Sequence, residues 1–302
     1  MSSAVASVSA ESVRPYVWML CGALSFAAMS TLVSALGKSY DWQLIAMMRT
    51  LLALVFAAGL AVTSGVPLVY FRPATLWMRS LAGSMSLVCG FYSLTRLPTT
   101  EVIALTNMFP IWVALLSWPL LGTRPPRDVW PAAACGISGV LIMQQLDWSQ
   151  GNYVWLIALA SSFFSAIAMI GLHKLQGIDP RAVVAHFSAI SLVFASATWF
   201  VFPRKESFVP LGLTQLLMLL GVGVTATIGQ IFLTKAFAAG SPGRVSVVSL
   251  SQVGFGMLLE GIFLPRDYGW TTLLGIILVL IPTAWLMTRA PRPVVPAALP
   301  DE

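Results

Sequence analysis

The sequence predicts an all-α integral membrane protein with ten transmembrane helices arranged as two inverted five-helix repeats. Three observations carry that expectation. Composition is the first: 58% of the 302 residues are hydrophobic and only 9% are charged, with a mean hydropathy of +0.85. Soluble domains do not have that balance. The second is a series of about ten apolar runs, each near the ~20 residues that a ~30 Å hydrocarbon core requires. The third is a weak internal repeat. Leu94-Thr95-Arg96 is echoed by Leu233-Thr234-Lys235, and Pro126-Arg127-Asp128-Val129-Trp130 by Pro265-Arg266-Asp267-Tyr268-Gly269-Trp270. Each set has an odd number of spans, so the second set enters the membrane from the opposite side.

The expected spans are 16–36, 42–63, 75–94, 100–121 and 129–146, then 153–173, 182–202, 211–236, 243–264 and 270–288. Turn signals punctuate them. Gly37-Lys38-Ser39 closes the first span and Ser64-Gly65-Val66-Pro67 the second. Gly122-Thr123-Arg124-Pro125-Pro126 follows the fourth, and Ser149-Gln150-Gly151-Asn152 divides the halves. Ile178-Asp179-Pro180, Pro203-Arg204-Lys205-Glu206, Gly240-Ser241-Pro242-Gly243 and Pro265-Arg266-Asp267 separate the later spans. The expected organisation is a cytoplasmic N-terminal tail over 1–15, repeats over 16–146 and 153–288, and a cytoplasmic tail over 289–302. Four prolines, Pro291, Pro293, Pro296 and Pro300, make that last tail an expected disordered segment.

Charge sets the orientation. With the N-terminus inside, eleven basic residues fall on inner segments and five (Lys38, Arg96, Arg204, Lys205, Arg266) on outer ones, with Arg49 left inside a span. That bias predicts a multi-pass protein of the cell membrane with both termini in the cytoplasm. Trp18, Trp77, Trp130, Trp155 and Trp270 fall near span ends, where amphipathic rings favour the interface. Residues 1–13 lack a basic region typical of a cleavable signal, so the first span is expected to direct its own insertion.

The same features exclude several classes. A net charge of +6 is spread singly or in pairs between apolar runs, which argues against nucleic acid as a partner. Cys21, Cys89 and Cys135 all lie in apolar segments, giving neither a disulfide framework nor a zinc spacing. No metal or other cofactor is expected. The chain has no phosphate-binding glycine loop, and its two histidines, His173 and His186, have no acidic neighbour suited to a catalytic pair. An enzyme acting on lipid and a non-transporting scaffold are therefore the alternatives to a transporter. Ala132-x-x-x-Gly136 could pack within the bundle or between two copies of the chain, leaving a homodimer open.

Arg79-Ser80-Leu81-Ala82-Gly83, Phe91-Tyr92-Ser93-Leu94-Thr95-Arg96-Leu97-Pro98, Ala104-Leu105-Thr106-Asn107-Met108-Phe109-Pro110 and Leu120-Leu121-Gly122 form a pattern. It resembles the EamA family of the drug/metabolite transporter superfamily, with its R-x-x-x-G start to the third span, its Y-x-L-x-x-L-P junction and its central proline in the fourth span. Thr123 stands where that family commonly has an acidic residue, and the second half has Gln252-Val253-Gly254 at the place matching Pro110. The resemblance implies two inverted five-helix repeats around a central cavity. It also implies alternating-access transport of a small solute, most often export.

Several residues are expected to carry that function. Pro110 has no backbone donor, so the Thr106 carbonyl loses its helical partner and the fourth span is expected to kink. Asn107, one turn away, can bond a solute or a neighbouring helix. Gln230 and Gln252 are amides that need partners in hydrocarbon, and Ser246, Ser249 and Ser251 surround the latter. Arg49 lies about seven residues into its span, where an arginine costs at least ~2.5 kcal/mol. Arg49 and Arg79 either snorkel to an interface or face inward, and facing inward they favour a carboxylate or other anion. Glu101 and Glu260 are candidates for proton coupling, or else they cap helices or pair with bases. Tyr92, Trp112 and Trp118 could wall a solute site or simply pack. The expected cargo is a small organic metabolite, amino-acid-like or anionic.

Overall fold

The computed structural model describes residues 13–109, 153–175, 177–202, 211–240, 248–263 and 269–288, with Val245 and scattered positions between 111 and 142. Nine helices are counted among the described residues, and no strand. They are α1 (Arg14–Leu36), α2 (Trp42–Thr63), α3 (Ala74–Leu94), α4 (Thr99–Thr106), α5 (Val154–His173), α6 (Pro180–Val201), α7 (Leu213–Ala239), α8 (Ser251–Phe263) and α9 (Trp270–Thr288). The fifth expected span, residues 1–12 of the expected N-terminal tail, the C-terminal tail and Pro110 lie outside the described residues, apart from isolated helical positions such as Pro131 and Cys135, while Arg14 and Pro15, expected in the tail, open α1.

The protein is embedded in a membrane. Helices α1, α2, α5, α6 and α7 are long and apolar enough to cross one. Their outward faces carry exposed apolar side chains, including Leu24, Val55, Val193, Leu217 and Phe200. In water such a surface would drive association; in lipid it is the solvated face. Polar residues within these helices return their hydroxyls to their own backbone. Thr31, Thr50, Thr227 and Thr234 each donate to the carbonyl four residues earlier, at 2.7 to 3.1 Å. A hydroxyl satisfied within its own helix is tolerated in hydrocarbon.

Helix ends follow sequence chemistry. Pro180 occupies the first turn of α6, where its missing N–H costs nothing. The Asp179 carboxylate caps that helix by accepting from the Arg181 backbone N–H at 2.8 Å. Burial works to raise the Asp179 carboxyl, but hydrogen bonds and charge from Arg181, with Lys235 beyond, hold it below its ordinary value. Gly65, at a φ of 66°, turns the chain after α2.

Two expected spans differ from single helices. The span expected over 100–121 begins as α4 but ends at Thr106, and the chain turns through Asn107 and Met108. The sequence supplies a reason, since Pro110 offers the Thr106 carbonyl no donor. The span expected over 243–264 is interrupted by a turn at Leu250 before α8 starts. There the Ser251 hydroxyl donates to the Val248 carbonyl at 2.7 Å, competing with the backbone for that acceptor.

Packing is pairwise. Helix α1 lies against α7, α3 against α5 and α2 against α6, while α4 and α8 meet each other. Small residues permit the closest approaches. A Cβ on Gly223 of α7 would meet the Leu52 Cβ of α2 at 2.5 Å, whereas a Cβ on Gly59 of α2 would meet nothing within 4 Å. Gly223→Ala is therefore expected to destabilise the protein by roughly 1–3 kcal/mol through overpacking. Gly59→Ala is expected to be neutral or to stabilise by up to ~1 kcal/mol, because alanine is the better helix former. Thermal melting of both variants in detergent micelles checks the contrast, and equal effects would remove the packing argument.

Candidate functional site

A cavity of about 190 Å³ lies among the helices, with walls from α1 to α8. It is smaller than the ~300 Å³ at which sites for drug-sized ligands begin, and so suits a compact solute. Much of its wall is apolar, with Met19, Phe26, Met29 and Phe91 among the contributors. Polar groups enter at defined points. The flanks of the two helix breaks contribute Thr106 and Asn107 on one side and Ser249 and Gln252 on the other. A break places side chains and main-chain groups in the cavity that a continuous helix would keep to itself.

Arg49 of α2 also lines the cavity and is only 2% exposed. Its Nε and Nη1 have no hydrogen-bond partner among the described residues. Arg79 of α3 stands behind the wall, 1% exposed, and its Nη2 donates to Gln230 Oε1 of α7 at 2.9 Å. Both guanidiniums approach the ring of Phe187, with Cζ 5.5 Å from its centroid for Arg49 and 4.1 Å for Arg79. The face of an aromatic ring offers a cation partial compensation for lost water. Among the described residues no ion pair neutralises either arginine. Glycine makes the room they occupy. A Cβ on Gly83 would collide with Arg79 Nη1 and with the Phe187 ring, and one on Gly171 of α5 would sit 3.3 Å from the Arg79 Cα.

The structure brings Arg49, Asn107, Gln230 and Gln252 together around one cavity and places Arg79 directly behind it. Other candidates lie elsewhere. Tyr92 is not in the cavity wall; it joins an aromatic cluster with Trp42 and Phe202 at the end of α3, under the Arg96 guanidinium at 3.8 Å. Trp112 packs edge-on against Phe163, and its indole N–H donates to Ser162 Oγ at 2.9 Å, so it too stands outside the lining. Both differ from the expected wall because an aromatic residue on a bundle helix packs wherever neighbouring rings are available. Glu101 is half-buried in the first turn of α4. Glu260 of α8 is 3% exposed and accepts from the backbone N–H groups of Thr99 and Thr100, and from the Thr100 hydroxyl. It thereby caps α4 from another helix, where the helix dipole favours negative charge. Pro110, Trp118 and Ser246 lie outside the described residues.

Some of the site had little sequence signal. Phe187 carries none, being one aromatic residue in an apolar run. Ser86 of α3 bonds Ser161 and Ser165 of α5 at 3.1 and 2.7 Å, and all three line the cavity. The spacing Gly83, Ser86, Gly90 was the available clue, a small-residue stripe on one helix face. His186 is satisfied within the protein, with Nδ1 2.8 Å from Ser80 Oγ and Nε2 3.1 Å from the Tyr70 carbonyl.

A lipid-embedded helical bundle around a small, partly open cavity with a buried cation in its wall is an arrangement suited to a membrane transporter. The model of the EamA-like transporter family matches residues 13–144 and again 152–288, and the chain belongs to that family. The chain is 26% identical over 260 residues to the pseudopaline exporter of Pseudomonas aeruginosa, covering 85% of this chain and 90% of that protein. It is 27% identical over 208 residues to a riboflavin transporter of Rhizobium johnstonii, covering 66% and 65% of the two chains. A crystal structure of another protein superposes with a TM-score of 0.66 over 90% of this chain and 98% of that one, at 16% identity, a likeness of fold.

An unneutralised arginine in a membrane protein's interior costs stability in the empty state. Arg49→Met is therefore expected to raise the stability of the ligand-free protein by on the order of 1–3 kcal/mol while abolishing transport. Melting curves and flux measured on the same preparation check this; a lower melting temperature would make Arg49 a structural residue.

Proposed function

We propose that this protein is a secondary transporter that moves a small organic metabolite, amino-acid-like or an organic anion, outward across the cell membrane by alternating access. The observation that carries the reading is the buried Arg49 guanidinium on the cavity wall, with two donor groups unpartnered among the described residues. An anionic group on a solute completes that site electrostatically.

The helix pairings support two inverted repeats. On the expected span order, α1 to α4 are the first four spans of one repeat and α5 to α9 the five of the other. Exchanging the repeats maps the α1–α7 pair onto α3–α5 and the α2–α7 pair onto α3–α6. It maps α2–α6 and α4–α8 onto themselves. The two matches of the family model agree with repeats over 16–146 and 153–288. Such a pair of halves supplies two related conformations around one midplane site. The inside-out asymmetry of basic residues supports cytoplasmic termini, and the exporter from Pseudomonas aeruginosa supports the outward direction.

Glu260 and Glu101 are the candidates for proton coupling. Its carboxylate ties α8 to the first turn of α4. A neutral amide in its place would remove the charge that the two N–H groups face and weaken the contact. Glu101, in that same turn, is the neighbouring acidic group.

Counterflow in proteoliposomes loaded with a bacterial metabolite extract tests the reading. Exchange of a subset of organic solutes, lost in Arg49→Met, is the expected result; no exchange of any solute would overturn it. Glu260→Gln is expected to slow that exchange, and an unchanged rate would remove Glu260 from the transport cycle.

A further inference from the structure

Two amides in the cavity wall have their orientation fixed by partners that hydrogen-bond in one sense only. Gln230 meets Arg79 Nη2 at 2.9 Å. A guanidinium donates and never accepts, so the atom facing it is the carbonyl Oε1, and the Nε2 donor points away from Arg79. Asn107 meets the Ile103 main-chain carbonyl at 2.8 Å. A carbonyl only accepts, so Nδ2 faces Ile103 and the acceptor Oδ1 is turned away from it. Both residues line the cavity, and so does Arg49, whose Nε and Nη1 are unpartnered among the described residues. Among the groups whose sense is fixed, Arg49 and Gln230 offer donors and Asn107 an acceptor, while the lining hydroxyls and Gln252 can serve either way.

The charge balance selects what each kind can meet. Arg49 and Arg79 bring two buried positive charges to one phenyl ring, with no ion pair among the described residues to offset them. A carboxylate matches the donors, since planar oxygens accept well from a guanidinium and an amide N–H. The group that Asn107 Oδ1 accepts from must be a donor. An ammonium would be a third cation in a low-dielectric space, where like charges repel strongly. A hydroxyl donates without adding charge. The apolar wall formed by Met19, Phe26 and Met29 suits a short hydrocarbon substituent.

We propose that the cavity selects a compact hydroxycarboxylate, with its carboxylate on Arg49 and Gln230 and its hydroxyl on Asn107, and that Arg79 is the positioning residue that sets the Gln230 amide. This rests on the transporter reading and narrows it to one kind of organic anion.

Four probes on one carbon skeleton test it by calorimetric titration of the full chain in detergent micelles: 2-hydroxy-4-methylpentanoate, leucine, 4-methylpentanoate and 2-hydroxy-4-methylpentanamide. The hydroxy acid is expected to bind tightest. Loss of the hydroxyl, or conversion of the carboxylate to the amide, should each weaken binding about tenfold. Leucine should bind more weakly than the hydroxy acid. Gln230→Glu turns a donor into an acceptor and should selectively weaken the three carboxylates. Arg79→Met should do the same by freeing the amide, with Arg79→Lys restoring preference for the carboxylate over the amide. Asn107→Leu should erase the difference between the hydroxy acid and 4-methylpentanoate. Leucine binding as tightly as the hydroxy acid overturns the proposal, as does failure of all four probes to bind. The wild-type series decides without any variant, so a variant that does not fold leaves the test intact. Counterflow of the metabolite extract on the same preparation separates the two levels. Exchange without probe binding sinks the hydroxycarboxylate and leaves the transporter, whereas absence of all exchange sinks the transporter itself.

Discussion

Two guanidiniums buried against one phenylalanine, with no ion pair among the described residues to neutralise them, constrain the middle of this protein. Much of the local architecture serves that arrangement. Gly83 leaves the volume that Arg79 and Phe187 fill, and Gly171 lets α5 come close to the Arg79 backbone. Gln230 gives Arg79 an acceptor, and is itself oriented by that bond. Arg49 has no such partner among the described residues and faces the cavity. A soluble protein could hydrate such a group. In hydrocarbon the compensation has to come from protein or from cargo.

The second determinant is the pair of interrupted helices. A continuous helix in lipid satisfies its own backbone and offers a solute only side chains. Residues beside the turns at Asn107–Met108 and at Leu250 line the cavity and include the amides Asn107 and Gln252 and the hydroxyl residues Thr106 and Ser249. Helices α4 and α8 also touch through Glu260, whose carboxylate caps the first turn of α4. A side chain of α8 therefore holds the start of α4.

Much of the fold was legible because lipid imposes simple rules. Span lengths follow from hydrocarbon thickness, and the expected 42–63 and 270–288 coincide with the bounds of α2 and α9. Pro110 marked the region of the α4 break, since a missing donor has one consequence wherever it occurs. The Leu250 turn had no proline to announce it, and depends on Ser251 competing for a carbonyl. At the site, residues that are costly in lipid stood out: Arg49, Asn107, Gln230 and Gln252 all reach the cavity. Aromatic residues were poor guides because their placement follows their neighbours. Tyr92 and Trp112 pack edge-on in ring clusters, while Phe187, which had no sequence signal, lies against both arginines. Glu260 could be read as a coupling group or a cap, and only the fold reveals the helix it caps.

The proposed role of Arg49 is to receive a carboxylate in the cavity. It is tested most directly by melting wild-type protein and Arg49→Gln in micelles across a range of acetate concentrations, with ionic strength held constant by chloride. Acetate is the smallest carboxylate, and binding to the folded state alone raises the melting temperature by mass action. The melting temperature is expected to rise with acetate in the wild type and to stay constant in the variant. Identical responses in the two proteins would contradict it.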